Sequence, residues 1–157
     1  MFKLSDEGRK KVESELKRYE VRESAIIPCL YLAQAENKGW ISVEVISELA
    51  GLMDIPESRI NEVFKFYTMF NQKPVGRFHV QVCTNISCAL EGSRELASYI
   101  CKELNVKYDE VSPDGRFTVS KVECLGSCGT APMMQVNDRY HEKLTHESAM
   151  NLLRGMK

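Results

Sequence analysis

Along roughly the first 70 positions, apolar residues recur every three or four places, the period of a helix face. Val12, Leu16 and Tyr19 form one stripe, with Ser5 placed to cap the helix that carries it. Ile26, Cys29, Leu30 and Ala33 form a second, with Ser24 as its expected cap and Asn37-Lys38-Gly39 as its expected end. Pro28 falls in the first turn of that helix, where a missing N–H is tolerated. A third stripe runs through Val45, Ile46, Leu49 and Ala50 behind Ser42. A fourth, Ile60, Val63, Phe64 and Tyr67, follows Pro56, which suits a first helical position. Helices this short bury their stripes only against one another, so the spacing predicts a helical bundle over residues 1–73.

The stretch Asn71-Gln72-Lys73-Pro74-Val75-Gly76 is turn-rich, and beyond it the period changes. Phe78, Val80 and Val82 alternate as in a strand that runs into Cys83. Leu96, Ile100 and Leu104 define a helix expected to begin near Cys88, and Ser112-Pro113-Asp114-Gly115 reads as a turn. Phe117, Val119 and Val122 make a second strand that delivers Cys124. Met133 to Val136 is a third, and Asn137-Asp138 turns it into Arg139-Tyr140-His141. A last helix starts at Thr145 and carries Ala149, Leu152 and Leu153. The order β-α-β-β-β-α predicts a parallel crossover, an antiparallel hairpin and a closing helix, a minimal thioredoxin-like domain over 74–157.

Composition narrows the classes without choosing one. The chain has 157 residues, 43% hydrophobic and 27% charged, with a formal net charge of -1. That balance gives no reason to expect nucleic acid or an anionic membrane as partner. Lys10, Lys11, Lys17 and Arg18 alternate with acids and read as a solvated helix face. The opening Met-Phe-Lys-Leu-Ser-Asp-Glu lacks the apolar run of a signal peptide, and no window approaches about 18 apolar residues. The expectation is a cytoplasmic chain without direct membrane insertion, where thiols stay reduced. Six cysteines in such a compartment point to metal or redox chemistry.

Four of the six form two hooks, Cys83-Thr-Asn-Ile-Ser-Cys88 and Cys124-Leu-Gly-Ser-Cys128. Each hook follows an expected strand end. If those strands are parallel neighbours, both hooks emerge at one edge and four thiolates converge. Asn85, Ile86, Ser87, Leu125, Gly126 and Ser127 would supply backbone N–H groups to the sulfurs, with Gly126 and Gly129 free to take positive φ. Gaps of four and three residues suit a flat two-iron rhomb better than the tight C-x2-C hooks of a zinc knuckle. Wider hooks do occur around zinc, so that reading stays open. So does dithiol chemistry, although neither hook has the C-x-x-C of a thioredoxin-type site.

Other candidates read as structural. Cys29 and Cys101 lie on apolar helix faces and suit small core positions. His79, His141 and His146 sit in no hook, which disfavours a mixed histidine–cysteine centre. Of Met133 and Met134, alternation puts one in the core and one beside the hooks. Phe66, Tyr67 and Phe70 are expected to be mostly core. Pro132 stands where thioredoxin-like folds often hold a cis proline.

The residues Val82 to Cys88, followed by Val122-Glu123-Cys124-Leu125-Gly126-Ser127-Cys128-Gly129-Thr130-Ala131-Pro132-Met133-Met134-Gln135-Val136-Asn137, resemble the thioredoxin-like [2Fe-2S] subunit of respiratory complex I, the E-type subunit family of NADH:quinone oxidoreductase. Further matches are Ile27-Pro28, Gln34, Gly39-Trp40, Phe66-Tyr67-Thr68-Met69-Phe70 and Pro113-Asp114-Gly115-Arg116-Phe117. The resemblance covers about Glu23 to Leu153. It departs in the first hook, where Asn85-Ile86-Ser87 and Ala89-Leu90-Glu91 replace small and basic residues, which bears on the potential.

The resemblance implies an α+β/α/β chain, a helical bundle followed by a thioredoxin-like [2Fe-2S] ferredoxin domain. It implies one low-potential [2Fe-2S] cluster on Cys83, Cys88, Cys124 and Cys128, with no catalytic residue of the chain's own. No G-x-G-x-x-G follows a strand, so NADH and FMN belong to another chain. The implied partners are an F-type flavoprotein NADH-binding subunit, for which the helical unit is the candidate docking element, and other peripheral-arm subunits at the inner membrane. Closely similar subunits serve NAD-linked hydrogenases and formate dehydrogenases.

Overall fold

A computed structural model describes residues 2–157 and divides the chain into two compact units, Met1–Pro74 and Val75–Lys157. The first is all helical: α1 (Asp6–Leu16), α2 (Ile26–Glu36), α3 (Val43–Met53) and α4 (Glu57–Phe66). Ser5 caps α1 by accepting from the Gly8 N–H at 2.9 Å, and its own N–H and hydroxyl both donate to Glu36 at the end of α2. Ser42 caps α3 by accepting from Val45. Leu30, Leu49, Met53 and Ile60 are fully buried between the helices. Gln34 ties α2 to the loop beyond α4, donating to the Met69 carbonyl at 3.2 Å and accepting from the Asn71 N–H at 2.7 Å.

Four expectations shift in this unit. Tyr19 lies beyond the end of α1 and is exposed, because the helix closes at Leu16 with Lys17 as its cap. Ser24 caps nothing: a 3-10 turn over Arg22–Ala25 leads into α2 and puts Ala25 at the cap position. Pro56 is the N-cap of α4 with an extended backbone, and Tyr67 is its C-cap. Phe66 is not core but 78% exposed, stacked edge-on against Tyr67. Phe70, by contrast, is buried.

The second unit runs β1 (Phe78–Cys83), α5 (Ile86–Leu90), α6 (Ser93–Glu103), β2 (Phe117–Val122), β3 (Met134–Val136), β4 (Arg139–His141) and α7 (His146–Gly155). The sheet order is β2-β1-β3-β4, with β1 parallel to β2 and the other pairings antiparallel. Val80 pairs with both Val119 and Val136, and Val82 with Met134, so one sheet face is continuously apolar. That face buries Leu96, Ala97 and Ile100 of α6 and Ala149 and Leu153 of α7. The helix expected to begin near Cys88 is two helices. Gly92 takes φ 81° and breaks the chain after α5, which lets α6 aim its own stripe at the sheet. Thr145 caps α7 as expected, and the Ala131–Pro132 bond is cis.

Two glycines respond oppositely to a methyl group. At Gly76 a Cβ would stand 2.6 Å from the Phe117 backbone, whereas at Gly51, inside α3, it would meet nothing within 4 Å. Gly76→Ala is expected to destabilise by about 1–3 kcal/mol. Gly51→Ala is expected to stabilise by about 1 kcal/mol through helix propensity. Urea unfolding of both variants checks the signs.

Candidate metal centre

Parallel register sets Cys83 opposite Val122, so β1 and β2 leave the sheet at the same edge. The Thr84 N–H donates to the Val122 carbonyl at 2.9 Å, which extends the pairing one residue past the strand. Asn85 then caps α5 by accepting from the Ile86 N–H, while its amide donates to Glu123 at 2.6 Å. The first hook is thereby fastened to the two residues that lead into the second.

All four hook cysteines line one pocket of about 300 Å³, together with Asn85, Ile86 and Ser87. They differ sharply in exposure. Cys83 and Cys88 are buried with Met133, and Leu125 and Ala131 pack against them. Cys124 and Cys128 are exposed. Met133 therefore faces the hooks and Met134 the main core, as alternation requires. Burial pushes the Cys88 thiol up to about 11, with neighbouring Cys83 adding to the rise and the Met133 backbone opposing it.

The Cys124 and Cys128 sulfurs stand 3.7 Å apart. Two thiolates on one tetrahedral metal, with bonds of about 2.3 Å, are separated by about 3.8 Å. A disulfide would need about 2.05 Å. This pair is spaced to grip one metal ion. Among the described residues, however, no three Cys, His, Asp or Glu side chains gather closely enough for a single ion. The four thiols share one pocket lining.

The Gly126 N–H donates to the Cys124 sulfur at 3.4 Å, and Gly126 takes φ 80° to do so. Gly129, expected to share that conformation, lies in a 3-10 turn over Cys128–Thr130 and has no positive φ. Sequence reasoning missed the far side of the second hook. Ser127 donates to Glu142, as does Thr130 at 2.7 Å, and the Tyr140 hydroxyl donates to the Leu125 carbonyl at 2.7 Å. The one available signal was the alternation of Tyr140 and Glu142, which places both on one side of an extended segment.

The remaining candidates stay out of the pocket. Cys29 is buried in the helical unit, where desolvation and then Glu15 push its thiol up to about 12. Cys101 is half-buried, its thiol raised by burial. His79 pairs with Ser120 at 2.8 Å, Ser120 donates to Asp109, and burial lowers the imidazole. No histidine lines the pocket.

A family model described as thioredoxin-like [2Fe-2S] ferredoxin matches residues 12–157. The E-type subunit of NADH-quinone oxidoreductase from Rickettsia prowazekii (strain Madrid E) is 43% identical over 143 residues, 90% of this chain and 81% of that protein. Its counterpart from Rickettsia conorii (strain ATCC VR-613 / Malish 7) is 47% identical over 126 residues, 80% of this chain and 75% of that one. In fold, the chain is similar to one from the crystal structure of an air-oxidised NAD+-reducing [NiFe]-hydrogenase, with a TM-score of 0.69 at 21% identity. That match covers 80% of this chain and 22% of the other.

In the metal-free chain at about pH 8, iodoacetamide should label Cys124 and Cys128 first and Cys29 last. Because its pKa is raised, Cys29 remains a neutral thiol well above that pH. Mass spectrometry of the labelled peptides checks this order, and Cys29 reacting as fast as Cys124 contradicts it.

Proposed function

The chain belongs to the thioredoxin-like [2Fe-2S] ferredoxin family, and on that premise we propose that it is the electron-transfer subunit of an NADH:quinone oxidoreductase. Cys83, Cys88, Cys124 and Cys128 would hold one [2Fe-2S] cluster. The observation that carries the reading is the convergence of four thiols from two distant hooks on one pocket. The names of its relatives, E-type subunits of NADH-quinone oxidoreductase, support this choice of parent complex. Bound there, the cluster supplies one-electron redox chemistry.

The chain's own residues define how that chemistry is presented. Met133, Leu125 and Ala131 keep water from the inner pair of cysteines. Gly126 gives the outer pair a hydrogen bond that favours the reduced, more negative state. Ile86, which lines the pocket, and Leu90, one turn further along α5, are 75% and 83% exposed and present apolar surface. A protein partner covering them would bring its own redox group against the exposed Cys124 and Cys128.

The sequence carries no G-x-G-x-x-G, and NADH binding and FMN are assigned to the partner, an F-type flavoprotein subunit. A flavin there would supply the conversion of a hydride's paired electrons into single ones, and the four hook cysteines would hold the centre that accepts them. Other peripheral-arm subunits would hold the chain at the cytoplasmic face of the inner membrane. Among the described residues no helix is long and apolar enough to cross a membrane. The alternative parent is an NAD-linked hydrogenase or formate dehydrogenase, in which the same subunit would serve a diaphorase module.

Two experiments follow from this assignment. Serine at any of the four hook positions should abolish or alter the visible spectrum of the loaded protein, while Cys29→Ala and Cys101→Ala should leave it intact. A fully assembled, spectrally unchanged Cys124→Ala protein would sink the ligand set. Affinity purification of the tagged chain from its native cell should bring down an FMN-containing subunit, and the other proteins recovered identify the parent complex. Recovery without any flavoprotein contradicts the partner.

A further inference from the structure

The second hook is steered from outside by a residue on β4. The Tyr140 hydroxyl donates to the Leu125 carbonyl at 2.7 Å. The peptide that carries this carbonyl continues into the Gly126 N–H, which donates to the Cys124 sulfur at 3.4 Å. A peptide unit is planar, with its carbonyl and N–H pointing in opposite directions. A donor that fixes the oxygen therefore fixes the hydrogen as well. Bonds in such a chain also polarise one another, so the phenol strengthens the donation at sulfur.

The surroundings leave this peptide dependent on Tyr140. Gly126 takes φ 80° and a Cβ there would meet nothing within 4 Å, so neighbouring side chains do not pack it into place. Cys124 and Cys128 are exposed, and packing holds the hook only through the Leu125 side chain, which leaves the rotation of the peptide that follows it to hydrogen bonds. Its far end is fastened separately, by Ser127 and Thr130 on Glu142 and by the Lys143 N–H on the Thr130 carbonyl at 2.8 Å. Tyr140 and Glu142 thus divide the work between the start and the end of the hook.

We propose that Tyr140 is a positioning residue that raises the reduction potential of the cluster by orienting and polarising the Leu125–Gly126 peptide against Cys124. The inference rests on Cys124 being a cluster ligand. Hydrogen bonds to ligand sulfur stabilise the reduced state, so losing the phenol hydroxyl lowers the potential. The Glu142 anchor and the cysteine–iron bonds remain in Tyr140→Phe, so its cluster content should match the wild type.

The test is an EPR-monitored redox titration of the loaded wild-type and Tyr140→Phe proteins, paired with amide hydrogen exchange of residues 124–130 in the metal-free chains. The expected result is a more negative midpoint in Tyr140→Phe and faster exchange at Gly126. A midpoint equal to or more positive than that of the wild type overturns the role of Tyr140. Should Tyr140→Phe lose its cluster, site-specific 3-fluorotyrosine at position 140 keeps the shape and strengthens the donor. Its midpoint should then move positive, and an unmoved midpoint overturns the proposal. A wild-type protein that binds no two-iron cluster overturns the functional reading itself, whereas a loaded wild type with an unshifted variant removes only this residue's role.

Discussion

The parallel pairing of β1 with β2 places Cys83 opposite Val122, so two strands far apart in sequence run out at one sheet edge. Every other feature of the site follows from that register. A parallel pair needs a crossover, and α5 and α6 supply it, with α6 covering the apolar sheet face. A slip of β1 by one residue would turn Val80 and Val82 away from α6 and α7 and misalign the hooks as well. The packing that stabilises the fold is therefore the same packing that aligns the thiols. Thr84 on Val122 and Asn85 on Glu123 carry the alignment beyond the strands, into the loops where the cysteines sit.

The pocket is built with unlike sides. Its inner pair, Cys83 and Cys88, is sealed by Met133, while its outer pair lies open. Burial of neutral thiols is tolerable, and the raised Cys88 pKa keeps that thiol protonated in the metal-free chain. A metal held by these thiols would displace their protons, which would couple loading of the site to pH. The outer pair receives its order from hydrogen bonds: Tyr140 and Glu142 reach back from the end of the sheet to hold a hook that packs inward only through Leu125. An inner wall that excludes water and an outer face open to a partner suit a centre that passes electrons to another protein.

Much of this was legible in the sequence because it depends on short-range periodicity. The alternation of Phe78, Val80 and Val82 marked β1 up to its last residue, and Ser42 and Thr145 marked two helix starts through their capping side chains. The two cysteine hooks stood out by spacing alone. What escaped depends on contacts between distant residues. Phe66 belongs to an apolar aromatic run, yet only the direction of α4 decides that it faces outward. The break at Gly92 separates two helices whose residues read as one. Tyr140 lies 15 residues from its hydrogen-bond partner and carries no motif, so its place at the hook emerges only from the β3–β4 hairpin.

The assignment of a two-iron electron carrier is tested most directly by metal and sulfide analysis of anaerobically purified wild-type protein, combined with EPR before and after dithionite reduction. The expected result is two irons and two acid-labile sulfides per chain, EPR-silent as oxidised and showing a spin-one-half signal on reduction. A colourless protein with one zinc, or a metal-free protein with reactive thiols in the hooks, would contradict it.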